Sequence, residues 1–204
     1  MARWAPDSRG RLETAAWELF EAKGFAATTV PEIAERAGLT TRTFFRHFAD
    51  KREVLFMDGA MAAYAQQVIL DAPAELTPTD VVRHLLRRAA AEQFTGRDEV
   101  RRVRAVVATD PTLRERELAK RHELSGAIEA GLVARGADAV SARLLADLTV
   151  TVMYLAVDRW LASPETGPAL AAFVDEVLDA HAALHAGRGS ASAAARTDQV
   201  RDPA

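Results

Sequence analysis

Apolar residues recur at intervals of three and four along almost all of this 204-residue chain. That is the period of an amphipathic α-helix, and no hairpin dipeptide sits between alternating apolar runs, so the pattern predicts an all-α protein. Asp7 or Ser8 can cap a first helix carrying Leu12, Ala15, Ala16, Leu19 and Phe20, with Gly24 as its stop. Thr29-Val-Pro-Glu32 has the form of a capping box with an early proline, and opens a helix of about two turns that stops at Gly38. Thr40 can cap a third helix reaching His47 or Phe48, anchored by Leu39, Phe44 and Phe48. Asp50-Lys-Arg-Glu53 reads as a further cap, opening one long helix through Val54, Leu55, Met61, Ala62, Ala65, Val68 and Ile69.

Residues 71–79 hold two prolines and interrupt the period, which marks them as the candidate loop between the first part of the chain and the remainder. Further helices are expected at 78–94, 98–109, 111–135, 138–162 and 168–186, with Pro111 at the start of the third of these. From Leu144 to Val157 the chain is apolar on most sides, and such a helix must be buried or paired. The tail, 187–204, is rich in Gly, Ser, Ala and Arg and is expected to be disordered. The resulting division is residues 1–55, 56–186 and 187–204.

Composition narrows the function. The absence of cysteine excludes disulfides, thiolate metal sites and cysteine nucleophiles, and fits a reducing cytoplasm. Residues 1–10 lack the apolar run of a signal peptide. No uncharged apolar stretch approaches the roughly 18 residues of a membrane span, so no membrane partner is expected. A net charge of −3 rules out a general coat of positive charge, so any nucleic-acid binding has to be local. From Thr40 to Arg52 the cations Arg42, Arg46, Lys51 and Arg52 face a single acid, Asp50.

Two short helices joined through Gly38-Leu39-Thr40, with a packing helix before and another after, are the parts of a helix-turn-helix. The stretch from Thr28 to Phe56, TTVPEIAERAGLTTRTFFRHFADKREVLF, resembles the TetR family of transcriptional regulators. In that family the same register reads approximately T-v-x-x-I-A-x-x-A-G-v-S-x-g-t-l-Y-x-H-F-x-s-K-x-x-L. The matching positions are Ile33-Ala34, Ala37-Gly38, His47-Phe48, Lys51 and Leu55. The resemblance implies an N-terminal domain that binds double-stranded operator DNA, and a C-terminal helical domain that binds a small-molecule effector and forms a homodimer. It implies base or phosphate contacts from Thr40, Thr41, Arg42 and Thr43, with Arg46 and His47 toward the groove or phosphates and Thr29 and Phe45 on the same surface. Lys51 is expected to hold a phosphate. Phe45 stands where the family usually has tyrosine, which removes a phenolic hydrogen bond. Arg42, where a small residue is common, can compensate or can read a guanine.

The C-terminal half is similar, more weakly, to the subgroup with acyl-CoA-like ligand domains, which implies an apolar cavity among residues 78–162. His84, Arg104, His122, Thr149 and Tyr154 are the polar candidates for effector contact, beside Leu86, Val107, Leu148 and Val152. Arg97, Arg101, Arg102 and Arg104 could meet an anionic head group, although a solvated helix face is the commoner explanation. A signal is expected to reach DNA through the long helix beginning at Lys51. Residues 138–186 are the expected dimer seam. His181 and His185 have the spacing of zinc ligands, but no further ligand clusters with them, so packing explains them better and neither metal nor cofactor is expected. With no recognisable nucleophile elbow, phosphate loop or carboxylate pair, an enzyme is not expected. The competing reading is a helical protein-interaction adaptor with a degenerate helix-turn-helix.

Overall fold

A computed structural model describes residues 7–56, 60–94 and 96–198, with side chains to 184. The elements are α1 (Ser8–Lys23), α2 (Val30–Arg36), α3 (Thr41–His47), a 3₁₀ turn (Lys51–Val54), α4 (Ala60–Asp71), α5 (Pro78–Glu92), α6 (Arg97–Thr109), α7 (Pro111–Ala134), α8 (Ala139–Ala162) and α9 (Leu170–Asp198). There is no strand among the described residues. The expected tail lies beyond the described side chains, and its last six residues lie outside the description altogether.

Local signals place the helix ends. The Asp7 carboxylate accepts from the Gly10 amide and caps α1. Thr29 and Glu32 form the reciprocal capping box of α2. Thr77, Asp110 and Asp138 cap α5, α7 and α8 through their side-chain oxygens. Each bond supplies a partner to an amide that the helix itself leaves unpaired.

The helix expected from Lys51 onward does not form there. Asp50 accepts from the amides of both Arg52 and Glu53, at 2.7 and 3.3 Å, and the backbone tightens into three-residue hydrogen bonding, Leu55 to Arg52. The α-helix that packs into the C-terminal half is α4, Ala60–Asp71. The proline loop is also placed differently from expectation. It joins α4 to α5 inside the C-terminal core, where Ala72 is buried and Arg135 donates to the carbonyls of Ala72 and Pro73, at 2.7 Å each.

Two apolar cores result. The larger joins α4, α5, α7, α8 and α9 around Ile69, Leu86, Ile128, Leu132, Val152 and Val174. At Gly131 a Cβ would come within 3.1 Å of Ile69 Cγ2, so glycine lets α4 and α7 approach closely. The smaller core holds Leu12, Ala16, Phe20, Ile33, Phe44, Phe48 and Leu55, and it also takes in Val107 from α6 and Leu113 from α7. The N-terminal head is therefore completed by the C-terminal half. Val107, expected to line a ligand cavity, belongs to the head instead.

α8 is long and apolar enough to cross a membrane by length and composition. It reads otherwise in place. One side, including Ala142, Ala146, Val152, Ala156 and Trp160, is buried within the bundle, while Val140, Leu144 and Leu155 stand exposed on another.

Candidate nucleic-acid interface

The α2–α3 turn depends on Gly38, whose φ of +64° is left-handed and whose added Cβ would meet the Arg11 guanidinium at 2.9 Å. Arg11 donates to the Ala37 carbonyl there, and the Leu39 amide donates to Ala34 at 2.8 Å. Phe44 and Phe48, 0% and 1% exposed, anchor α3 to α1. Anchoring that side turns Thr41, Arg42, Phe45 and Arg46 to the solvent, with Thr40 exposed at the N-cap.

The site residues fall into three groups. Thr40, Thr41, Arg42, Phe45 and Arg46 form one exposed face, and Arg42 has no hydrogen bond or ion pair among the described residues. Thr43 and His47 brace that face. Thr43 closes on the Thr40 hydroxyl, amide to oxygen at 3.2 Å, and His47 Nε2 lies 2.9 Å from Ser8 Oγ at the start of α1. Thr29 is exposed, but its hydroxyl is bonded to Glu32 at 2.7 Å. Lys23 and Thr29 together push the Glu32 carboxyl down to about 2, Lys23 contributing most.

Lys51 departs from expectation. Its ammonium donates to the carbonyls of Phe25 and Thr28, both at 2.6 Å, and sits 4.0 Å from the centre of the Phe25 ring. Desolvation lowers its pKa below the ordinary lysine value, with Asp110 opposing. It is a staple across the α1–α2 turn, adding a second donor to the Phe25 carbonyl, which already accepts from the Thr28 amide, and bonding the Thr28 carbonyl beside an aromatic face. Arg52 is likewise occupied, paired to Asp50 at 2.5 Å. The charge of the reading face thus rests on Arg42 and Arg46.

In the C-terminal half the candidate effector residues do not converge. Arg104 and Tyr154 do meet, with the Arg104 and Arg121 guanidinium carbons 4.9 and 3.5 Å from the ring centre. Burial, followed by Glu117, raises the Tyr154 phenol above its ordinary value, and Arg121 opposes this. Beside them lies a cleft of about 280 Å³ lined by Arg121, Val150, Thr151, Tyr154, Leu155 and Asp158. Thr149 instead turns its hydroxyl back to the Leu145 carbonyl at 2.6 Å. His122 is exposed on α7 and His84 is half-buried on α5, while the Ser125 hydroxyl, followed by Arg143, holds the Asp147 carboxyl below its ordinary value.

The arginine cluster is internally satisfied. Arg97 donates to the Ser163 and Pro164 carbonyls, Arg101 pairs with Asp98, Arg102 with Glu21, and Arg104 with Asp158. His181 is half-buried, the side chain of His185 lies outside the described residues, and no group of three or more metal-ligating side chains occurs among those described.

One set of contacts had no sequence signature. Glu53, 3% exposed, accepts from Arg116 at 2.6 Å and lies 3.5 Å from Lys120, both on α7. The ion pair of Arg102 with Glu21 and its stacking over Trp17 make a second tie between α6 and α1.

A braced helix-turn-helix presenting a cationic face, set on a helical bundle, is the architecture of a DNA-binding regulator. Residues 13–56 match the family of bacterial regulatory proteins, tetR family. The residues that carry this match run from α1 through the 3₁₀ turn, so it is the N-terminal head that has the sequence of this family. Over 47 residues it is 53% identical to the HTH-type transcriptional regulator TcmR of Streptomyces glaucescens, a match covering 23% of this chain and about a fifth, 21%, of that protein's length. The FadR repressor of Thermus thermophilus, solved with lauroyl-CoA, superimposes with a TM-score of 0.51 at 24% identity, over 84% of this chain and 91% of that one. SmeT, the repressor of the Stenotrophomonas maltophilia efflux pump SmeDEF, gives a TM-score of 0.54 at 19% identity, over 86% and 90%. These two likenesses establish the helical fold.

Proposed function

We propose that the protein is a homodimeric transcriptional regulator that binds a palindromic operator through α3 and is released from it by a small molecule held in the C-terminal bundle. The observation that carries this reading is the α3 surface, where Arg42 is exposed and has no partner among the described residues, on a helix whose other side is locked by Phe44 and Phe48. A short helix so presented fits a major groove about 12 Å wide. A DNA-binding role places the protein in the bacterial cytoplasm. Repression is the mode named for the structural neighbours FadR and SmeT.

Arg42 and Lys51 provide the test. Arg42→Ala is expected to cost about 1–3 kcal/mol of DNA affinity, to relax one operator position and to leave the melting temperature unchanged. Lys51→Ala is expected to lower stability by about 1–2 kcal/mol, because it deletes two charge-assisted hydrogen bonds in a partly exposed site. It should leave the salt dependence of binding unchanged, whereas a slope reduced by about one ion would identify Lys51 as a phosphate anchor. Failure of the unaltered chain to prefer any duplex would favour the adaptor reading.

Dimerisation is supported by the outer stripe of α8. Val140, Leu144 and Leu155 are 70%, 66% and 49% exposed, on a helix whose other side belongs to the larger core. A second copy covering them would gain about 25 cal/mol per Å² of apolar surface. Light scattering is expected to give twice the 22.1 kDa chain mass, and Leu144→Asp to return the monomer. A monomeric unaltered chain at micromolar concentration would remove two-site recognition.

For the effector, the cleft beside Tyr154 supports a small, largely apolar molecule. FadR was solved with lauroyl-CoA and SmeT with triclosan, so the fold accommodates both an acyl thioester and a compact aromatic. Arginines 97–104 are already paired here, which favours the apolar ligand over a polyanionic one such as acyl-CoA.

A further inference from the structure

Phe45 is the side chain on the reading face that the protein itself does not explain. It is 58% exposed, the only phenylalanine among the exposed large hydrophobic residues of the described part of the chain, while Phe44 on the same helix and Phe48 at its C-cap are buried. Its ring stands edge-on to Phe44, with centroids 5.5 Å apart and planes at 85°. The buried ring therefore holds the exposed one out from the core. Thr41 and Arg42 lie four and three residues before it, the spacing that puts side chains on one helix face.

An apolar ring displayed among cations and hydroxyls gains free energy when an apolar group covers it. Base pairs offer one such group at their major-groove edges, the C5-methyl of thymine. Phe45 has no hydroxyl and can make no phosphate hydrogen bond. Arg42 carries the planar donor fork that matches guanine N7 and O6. Three residues advance a helix by about 4.5 Å, against about 3.4 Å per base-pair step, so the two side chains fall on neighbouring base pairs.

We infer that Phe45 is a specificity-determining residue that recognises a thymine through its methyl group, one or two base pairs from a guanine read by Arg42. This rests on the DNA-binding role proposed above. It gives each operator half-site a required thymine beside a required guanine. It also assigns the discrimination at that thymine to apolar burial and not to hydrogen bonding.

The test uses the full chain and duplexes selected by it from a random-sequence pool. In the selected duplex each thymine is replaced in turn by deoxyuridine, which deletes only the methyl group. At one position in each half-site the replacement is expected to weaken binding about fourfold, the equivalent of one buried methylene-sized group. Phe45→Ala, whose melting curve should match the parent because the side chain is exposed, is expected to bind the thymine and uracil duplexes equally. Phe45→Tyr should keep the difference. Two results would overturn the inference while leaving the regulator reading intact: equal binding of every uracil-substituted duplex by the unaltered chain, or a methyl preference that survives in Phe45→Ala. If no preferred sequence emerges from the pool, the regulator reading fails and this inference fails with it.

Discussion

Leu113→Ala is expected to loosen the DNA-reading head, although residue 113 lies in the C-terminal half of the chain. Leu113 is 0% exposed and belongs to the apolar cluster of Leu12, Phe20, Phe44 and Phe48. Truncating a fully buried leucine costs about 2–5 kcal/mol, part of it lost transfer energy and part the cavity left behind. A unit of some fifty residues has only about 2.5–7.5 kcal/mol of stability to lose. The head should therefore open at far lower denaturant while α8 and α9 stay ordered. Hydrogen exchange would show protection lost across α1–α3 first, with DNA affinity falling in parallel. Protection retained in α1–α3 and lost from α8 would contradict the placement of Leu113.

The second large effect is expected at the ion cluster that locks the head to α7. Glu53 is almost fully buried, Arg116 and Lys120 are one-quarter and one-sixth exposed, and Glu123 approaches both cations, at 3.1 and 3.5 Å. The hydrogen bond that Arg116 donates to Glu53 raises the Arg116 pKa, consistent with a tight pair. Arg116→Ala leaves the carboxylate with Lys120 alone. Breaking a buried pair from one side costs about 3–5 kcal/mol, which partial exposure of the cation reduces to about 2–4 kcal/mol here. Glu53→Gln keeps the shape and removes the charge, so its cost should be smaller. In a double-mutant cycle read by urea denaturation, the two changes should couple by about 1–3 kcal/mol, the range for contacting residues. Additive losses would mean that the pair is no more than a surface contact.

Both effects lie on the same structural joint, and it is not the one the sequence suggests. A single helix from Lys51 into the effector domain would have acted as a lever. The structure has a 3₁₀ turn at that point and instead inserts the α6–α7 elbow, Val107 and Leu113, into the head, flanked by Glu53–Arg116 and Arg102–Glu21. A ligand held in the proposed cleft beside Tyr154 would contact α7 through Arg121, on the helix that carries Leu113, Arg116 and Lys120. Movement of α7 would reach α3 through that elbow, provided the ligand binds the DNA-incompetent arrangement more tightly.

What the sequence determined by itself is what neighbours within four residues decide. Thr29 with Glu32, Thr40, Asp110 with Pro111 and Asp138 set helix starts through bonds that close locally, and Gly38 set the turn through its own backbone freedom. The period of Leu12, Ala16, Leu19 and Phe20 showed which side of α1 is buried for the same reason. Those signals sufficed for an all-helical chain with a helix-turn-helix and for the exposed face of α3. Tertiary structure alone decided where side chains with long reach would end. Lys51 and Arg42 are both exposed cations on paper, yet one folds onto carbonyls 23 and 26 residues away while the other has no partner among the described residues. The arginines of α6 read as a basic patch until acids and carbonyls from α1, α8 and the loop after α8 neutralise them. Val107 and Leu113 follow the same rule, because a helical period shows that a residue is buried without showing in which core. Burial and charge pairing are properties of surfaces brought together across the chain, and no local pattern records which surfaces will meet.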